Sequence, residues 1–196
     1  MTPSRAHWGW LPVLAMAATI AAILPGPLDA ASPAVEAPPL ELVVTIPQIQ
    51  AHPYHRPYIA VWIETPERNV VRNLVLWYEE DTWLKDLRQW WRVYGRYEGH
   101  DAEQKGVDGF SGATRRPNQY TVDWNGLDDR GAAVPAGRYV VRFEASREEG
   151  GRSYLELPIE VSEEGTVTAA TPEVEADGEL GPITVRNPAS RKESAP

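Results

Sequence analysis

The sequence contains no cysteine and only two phenylalanines, whereas tryptophan and tyrosine occur eight times each. The lack of cysteine excludes disulfides, thiolate catalysis and cysteine-ligated zinc or iron–sulfur centres. Any redox role would therefore depend on a bound cofactor. Tryptophan and tyrosine carry a polar group on an apolar ring, so they suit half-buried faces and binding surfaces.

Positive charge is scarce as well, since 19 lysines and arginines stand against 28 aspartates and glutamates and the formal net charge is −9. Binding to nucleic acid requires clustered basic residues, so no nucleic-acid partner is predicted. The sequence also lacks a Ser/His/Asp triad signature, a phosphate-binding loop and a dinucleotide fingerprint. These absences leave a stand-alone enzyme without support from the residues.

Long apolar runs are limited to one, which covers residues 8–24. It follows a basic start at Arg5 and precedes a Pro25-Gly26-Pro27 break and the small residue Ala30. This order is typical of a secretory signal peptide, here residues 1–30, with cleavage after its last residue. The alternative is an uncleaved membrane anchor, because a run of about 17 residues is at the short limit for a spanning helix. Either way, the working domain is predicted to be periplasmic.

The rest of the chain is predicted to form one β domain over residues 40–187, between an Ala/Pro-rich linker (31–39) and a disordered tail (188–196). Residues 57–64 are apolar on both alternating faces, which predicts a central strand. The step Glu67-Arg68-Asn69 predicts a hairpin turn. The predicted strands cover residues 40–46, 57–64, 70–78, 119–124, 137–146, 152–161 and 180–186.

One helix is predicted over residues 82–94, because large apolar residues recur there at helical spacing and cover one broad face. That face contains Trp83, Leu84, Leu87, Trp90, Trp91 and Tyr94, and is expected to pack on the core. Asp81 or Thr82 is expected to cap the start of the helix. Residues 95–117 then form a long, polar, glycine-rich loop, and loops of about 20 residues are usually functional or disordered.

The long loop contains the segment Asp108-Gly109-Phe110-Ser111-Gly112-Ala113-Thr114. It resembles the acceptor motif on which bacterial flavin transferases attach FMN, through a phosphoester, to the final threonine. The same pattern occurs in the FMN-carrying subunits of sodium-pumping NADH:quinone reductase and of the Rnf complex. The resemblance implies that Thr114 is a cofactor attachment point and that a flavin transferase is a partner. The alternative is an ordinary loop, since Gly/Ser/Thr/Asp clusters are common between ordered segments.

The residue types suit such an attachment. A hydroxyl must attack the phosphoryl group, and the glycines on its N-terminal side permit close approaches. We expect the segment to be exposed, so that the hydroxyl can enter another enzyme's active site. The residues assigned to the site are the nucleophile Thr114, the small neighbours Gly112 and Ala113, the residues Asp108 and Ser111 read by the transferase, Phe110 against the flavin ring, and Arg115 on the phosphate.

Two other clusters could hold metals. His52 and His55 could donate two imidazoles, but no third ligand lies nearby in the sequence, so an ordinary start of a strand is favoured. Asp128 and Asp129 could bind calcium, but the loop lacks the alternating ligand spacing of calcium loops, so a turn is favoured. No metal site is therefore predicted.

Two further resemblances concern the fold. Residues 124–139 read W-N-G-L-D-D-R-G-A-A-V-P-A-G-R-Y and resemble the immunoglobulin-like repeat of flagellar hook-capping proteins, with Trp124 and Tyr139 expected to pack on each other. Residues 40–187 resemble the family of predicted periplasmic proteins catalogued as domain of unknown function 2271. The resemblance implies export, a β-sandwich, and the company of a flavin transferase and of a membrane flavin- or iron-reductase-like protein. It is carried by residues 55–64, 83–92, 111–115 and 124–139.

Together these observations predict a mainly β protein, an exported immunoglobulin-like β-sandwich with one short helix and a long functional loop. The predicted function is a periplasmic flavoprotein with covalent FMN on Thr114, which relays electrons between a membrane reductase and an unknown acceptor. The alternative is a non-redox binding or scaffolding module of the same fold. An electron carrier or a binding module is favoured over a stand-alone enzyme, and the residues do not predict an oligomeric state.

Overall fold

A computed structural model describes residues 40–98 and 109–186 of the chain. The predicted signal peptide, linker and tail therefore lie outside the described residues, as does Asp108. Within the described part, no helix is long and apolar enough to cross a membrane. The strands are β1 (Leu40–Ile46), β2 (Tyr58–Glu64), β3 (Val70–Tyr78), β4 (Ser111–Ala113), β5 (Asn118–Trp124), β6 (Gly137–Ser146), β7 (Arg152–Val161), β8 (Val167–Ala169), β9 (Glu173–Val174) and β10 (Ile183–Arg186).

The strands form two sheets that pack face to face. One sheet has four strands in the order β5-β1-β10-β9, and the other has six in the order β4-β3-β2-β6-β7-β8. Neighbouring strands are antiparallel except β3 and β4, which are parallel. The predicted mainly β fold and its sandwich arrangement are confirmed.

Strand β2 occupies the predicted central position, between β3 and β6 in the six-stranded sheet. Its alternation divides it between two apolar clusters, with Ile59, Val61 and Ile63 on the inner face toward the other sheet and Ala60 and Trp62 on the outer face. All five of these side chains are fully buried. The inner cluster also contains Leu42, Val44, Trp77, Trp124, Val141, Phe143, Leu157, Leu180 and Ile183.

A short helical segment covers the outer face of the six-stranded sheet, but it is not the continuous helix predicted over residues 82–94. A 3₁₀ turn (Asp81–Asp86) ends at Leu87, whose φ of −76° and ψ of 72° lie outside the helical region. Helical structure resumes over residues 88–98, with a π turn at Trp91–Gly95. The break changes which residues face the core, so Leu84, Leu87 and Trp90 are buried while Trp83 is 39 % exposed.

The helical segment resumes at residue 88 because a buried carboxylate on β6 accepts hydrogen bonds from its first backbone N–H groups. Glu144 accepts hydrogen bonds from the backbone N–H of Gln89 at 3.0 Å and of Trp90 at 2.9 Å, and it pairs with Arg152 at 2.7 Å. The predicted cap at Asp81 or Thr82 is wrong, since the 3₁₀ turn begins after Glu80 without a side-chain cap. The stabilising cap therefore comes from a residue that is distant in the sequence.

The connection between β5 and β6 has the predicted turn chemistry. Trp124 and Tyr139 pack edge to face with ring centroids 6.3 Å apart, as expected. Asp128 accepts the N–H groups of Arg130 and Ala132, which closes the turn. The Asp129 carboxylate accepts the backbone N–H of Asn73 at 3.1 Å, so this loop also covers part of the free edge of β3.

Three short strands were not predicted, namely β4, β8 and β9. Strand β8 extends the six-stranded sheet beside β7, and β9 extends the four-stranded sheet beside β10. Strand β4 lies inside the region predicted as a loop, and residues 96–98 of that region are helical. The predicted loop over residues 95–117 is thus partly ordered in the described residues.

Candidate functional site

The acceptor-like motif ends on an edge strand of the six-stranded sheet. Gly109 turns the chain with a φ of +99°, a conformation that favours glycine, and the Phe110 carbonyl accepts the Leu76 N–H at 2.9 Å. Strand β4 then runs parallel to the end of β3, with Leu76 opposite Ser111, Trp77 opposite Gly112 and Tyr78 opposite Ala113. The motif is therefore held at the edge by backbone pairing.

Thr114 is the first residue after β4, where the chain leaves the six-stranded sheet and crosses to β5 in the other sheet. Its side chain is buried, with 6 % exposure. The expectation that the acceptor hydroxyl is exposed is therefore wrong for the folded chain. The next two residues of the same crossing, Arg115 and Arg116, are exposed, so the burial is specific to Thr114.

The Arg115 guanidinium lies beside two aromatic rings that contact each other, and neither ring was assigned to the site from the sequence. Its central carbon is 5.4 Å from the Trp77 ring and 5.9 Å from the Tyr120 ring, and these two rings contact each other edge to face at 5.2 Å. Cation–π contacts of this kind orient a guanidinium without using its N–H donors. Among the described residues, no carboxylate forms an ion pair with Arg115.

Gly112 borders this cationic cluster. A Cβ atom at this position would lie 3.6 Å from Cδ1 of Trp77 and 3.8 Å from Nη2 of Arg115, which is ordinary contact. The site therefore accommodates a Cβ atom at Gly112 without displacing its neighbours. Trp77 carries no local sequence signal for this role, because it lies on β3, far from Arg115 in the sequence, whereas Tyr120 follows Arg115 closely on β5.

The Phe110 ring, which was predicted to lie against the flavin, contacts other side chains of the protein instead. Its ring is half-buried and packs edge to face on Tyr94 with centroids 6.2 Å apart, and Tyr94 in turn packs on Trp90 at 5.7 Å. Phe110 therefore anchors the start of β4 to the helical segment. Ser111 and Ala113 are exposed, so two of the predicted site residues face solvent at the sheet edge.

A polar cleft of about 520 Å³ opens at the end of the sheet where β2 begins and β3 ends. In it, His55 Nδ1 lies 3.3 Å from Glu148 Oε2, and the Tyr58 hydroxyl accepts the Glu80 N–H at 2.9 Å. Sequence reasoning did not find this cleft, because three separate loops supply its walls. We call it the polar cleft, and it is lined by Tyr54, His55, Arg56, Tyr58, Glu79, Glu80, Trp83 and Glu148.

One hydroxyl of the polar cleft has no partner. The Tyr54 oxygen is buried and makes no hydrogen bond within the described residues, and burial is the main cause that raises the pKa of this phenol above 10.0. The group therefore stays protonated at neutral pH. A buried hydroxyl without a hydrogen-bond partner costs free energy, and the charged groups that most affect this one are Arg147 and Glu179, which do not line the cleft.

The two metal hypotheses set aside above gain no support. His55 pairs with Glu148, and Asp128 and Asp129 are used by the turn and by the edge of β3. In the stretches 40–98 and 109–186, no group of three or more His, Asp or Glu side chains could hold a metal ion. The covalent attachment of FMN and the likeness to hook-capping proteins stay predictions.

Comparison with protein families gives one match, over residues 39–181, to the family described as "Predicted periplasmic protein (DUF2271)". No curated protein and no solved structure matches the chain. The family description confirms the predicted periplasmic localisation. Because the match covers more than half of the chain, this protein belongs to the DUF2271 family of predicted periplasmic proteins.

Proposed function

We propose that this periplasmic protein is a flavoprotein with FMN in phosphoester linkage on Thr114, and that it relays electrons from a membrane reductase to a further acceptor. The observation that supports it most directly is Arg115. It follows the acceptor threonine in the sequence, and its guanidinium lies over the rings of Trp77 and Tyr120 without a carboxylate partner among the described residues. An arginine held in this way suits the phosphate of the linkage.

The attachment requires FAD as co-substrate and a separate flavin transferase as catalyst. The Thr114 hydroxyl oxygen forms a bond to the FMN-side phosphorus of FAD while the pyrophosphate P–O bond breaks. AMP leaves with the bridging oxygen, and a base of the transferase takes the hydroxyl proton. The resulting phosphodiester keeps one negative charge, which the adjacent Arg115 stabilises. When bound, the flavin supplies the reversible electron transfer.

The burial of Thr114 sets a condition for this reaction, because a hydroxyl that is 6 % exposed cannot enter another enzyme's active site. Strand β4 has three residues and lies at the sheet edge, where local opening is least costly. Its release from β3 would expose Thr114 without opening the inner core. The transferase is therefore expected to act on the chain with β4 detached, either before folding is complete or during local opening.

The substitution Thr114→Val tests the proposal, because it keeps the side-chain shape and removes the nucleophile. Wild-type protein made with a flavin transferase and exported should gain the mass of FMN and absorb as a flavin. Thr114→Val should fold but gain neither mass nor colour. Thr121→Val is the matched control, since this threonine is exposed on β5 and should leave attachment unchanged. Correctly exported wild-type protein that keeps its unmodified mass would overturn the proposal.

The second candidate is a non-redox binding module, and the polar cleft is the observation that favours it. The cleft has the size of small-molecule sites, and its lining combines three aromatic residues with His55, Arg56 and three glutamates, which suits a polar ligand. If wild-type protein stays unmodified beside a competent transferase, this second function takes the first place. Binding would then be sought at Trp83, whose fluorescence reports on occupancy of the cleft.

A further inference from the structure

We propose that the outer face of the six-stranded sheet carries a binding site for a phosphate-type oxyanion, on which the guanidinium groups of Arg68 and Arg92 converge. The site also includes Gln89 of the helical segment and Tyr154 of β7, and we call these four residues the arginine site. It shares no residue with the acceptor motif or with the polar cleft. The inference is therefore independent of the attachment of FMN.

The first argument is the convergence of two cations on one neutral oxygen. Arg68 Nη2 lies 3.3 Å from Gln89 Oε1, and Arg92 Nη1 lies 3.5 Å from the same oxygen. Both distances are at the long limit of a hydrogen bond, so these contacts are weak. Two guanidinium groups brought together in this way repel each other, whereas an oxyanion between them would replace the repulsion with charge-assisted hydrogen bonds.

The second argument is that the carboxylate paired with Arg68 already has other partners. This carboxylate, Glu64, is fully buried and lies 3.4 Å from Arg68 Nε. It accepts shorter hydrogen bonds from Arg142 Nε at 2.8 Å and from Trp62 Nε1 at 2.9 Å. Arg68 therefore faces Glu64 with Nε, while its Nη2 group is directed to Gln89 and Tyr154 and can donate to a ligand.

The balance of charge on this face is positive. Glu144 pairs with Arg152, and Glu156 pairs with Arg142, so neither of these carboxylates neutralises the arginine site. Within residues 40–98 and 109–186, Arg92 forms no ion pair. Positive charge therefore remains unpaired at one place on a chain whose formal net charge is −9, which favours a negatively charged ligand there.

The third argument is the backbone of Arg68. Its φ of 69° lies in the left-handed region, which favours glycine and is strained for a residue with a long side chain. The residue belongs to the hairpin turn between β2 and β3, in which its N–H donates to the Thr65 carbonyl at 2.9 Å. A glycine would form this turn with less strain but would place no guanidinium beside Gln89. The strain is explained if the guanidinium is required for binding.

The fourth argument is a third donor. The Tyr154 hydroxyl accepts a hydrogen bond from Arg68 Nη2 at 3.4 Å, and its own proton has no acceptor among the described residues. Burial is the main cause that raises the pKa of this phenol, so it keeps its proton at neutral pH, although the cations of Arg142 and Arg68 oppose the rise. Donors from three separate side chains suit the several oxygens of a tetrahedral phosphate group.

Titration calorimetry with inorganic phosphate, at an ionic strength kept constant with sodium chloride, tests the site. The wild-type protein should bind phosphate saturably, and Arg92→Gln should weaken the binding by about tenfold or more, because it removes a charged donor. Arg186→Gln is the matched control, since it removes the same charge from an exposed position of the four-stranded sheet. Equal weakening by both substitutions would show general electrostatic attraction and would overturn the inference.

Arg68→Gly separates binding from a structural role. It relieves the left-handed strain, so without phosphate its melting temperature should be no lower than that of the wild-type protein, while phosphate binding should be lost. A lower melting temperature together with unchanged phosphate binding would show that Arg68 serves the fold alone, and would overturn the inference.

Vesicle sedimentation distinguishes a free phosphate group from one on a lipid. Phosphatidylglycerol vesicles are compared with phosphatidylcholine vesicles, again with Arg92→Gln and Arg186→Gln. Binding to the phosphatidylglycerol vesicles that requires Arg92 and that inorganic phosphate displaces would identify a lipid headgroup as the source, whereas binding of inorganic phosphate alone would identify a soluble ligand. A wild-type protein that binds neither inorganic phosphate nor these vesicles would overturn the inference and leave the proposed function standing.

Discussion

The two faces of the six-stranded sheet are stabilised in different ways. The inner face packs aliphatic and aromatic side chains against the four-stranded sheet, and its cluster is almost wholly apolar. The outer face has a smaller apolar cluster and relies on buried charges, since Glu64 pairs with Arg142 at 2.8 Å and Glu144 receives the amides of the helical segment. The inner face therefore supplies most of the stability. The outer face fixes the position of the helical segment, which carries Trp83 and the Tyr94 ring that contacts Phe110.

The largest effect is expected on the inner face. Phe143 is fully buried there, so Phe143→Ala should lower the free energy of unfolding by about 3–5 kcal/mol through lost transfer energy and a cavity. Urea denaturation measures the loss. Arg186→Ala, at an exposed position, should cost less than about 0.5 kcal/mol. A loss at Phe143 as small as that of the control would show that the inner face does not dominate.

A smaller and more local effect is expected on the outer face. Glu144→Gln keeps the side-chain shape but removes the charge that receives the Gln89 and Trp90 amides and pairs with Arg152. It should cost about 1–3 kcal/mol and speed hydrogen exchange of those two amides. Glu160→Gln, at an exposed position of β7, is the control and should neither lower the stability nor speed the exchange. Unchanged hydrogen-exchange rates at both amides would contradict the role assigned to Glu144.

The smallest effect concerns alkaline pH. Burial is the main cause that raises the pKa of Tyr139 on the inner face and of Tyr154 on the outer face above 10.0, and for Tyr154 the cations of Arg142 and Arg68 oppose the rise. The unfolded chain then loses these protons first, so stability should fall as pH rises above about 10. Tyr139→Phe and Tyr154→Phe should each weaken this fall in urea midpoints. A stability that rises over the same range would contradict the assignment.

Much of the fold was predictable because it follows from local alternation. Strand β2 alternates apolar side chains on both faces, and a central strand is the arrangement that buries both. The turn from Trp124 to Tyr139 was predictable as well, since aspartate and glycine have fixed roles in turns. In these regions, the local sequence alone is enough to predict the structure.

The remaining features depend on distant residues. The helix breaks at Leu87 and resumes on Glu144, which is 55 residues from Gln89 in the sequence, so periodicity alone predicted one straight helix. Strand β4 reads Ser-Gly-Ala and has no periodicity, because a parallel edge strand is defined by its partner β3. The burial of Thr114 and the contact of Trp77 with Arg115 likewise depend on how the strands pack, which the local sequence does not show.

The contact between Asp129 and the edge of β3 bears on whether molecules of this protein aggregate. A free strand edge offers its backbone groups to any other chain and so invites aggregation. Here Asp129 occupies the Asn73 N–H with its carboxylate and the Val71 carbonyl with its own N–H, while β4 covers only the stretch from Leu76 to Tyr78. Release of β4 would therefore free the stretch from Leu76 to Tyr78, while Asp129 still occupies the backbone groups of Val71 and Asn73 on the same edge.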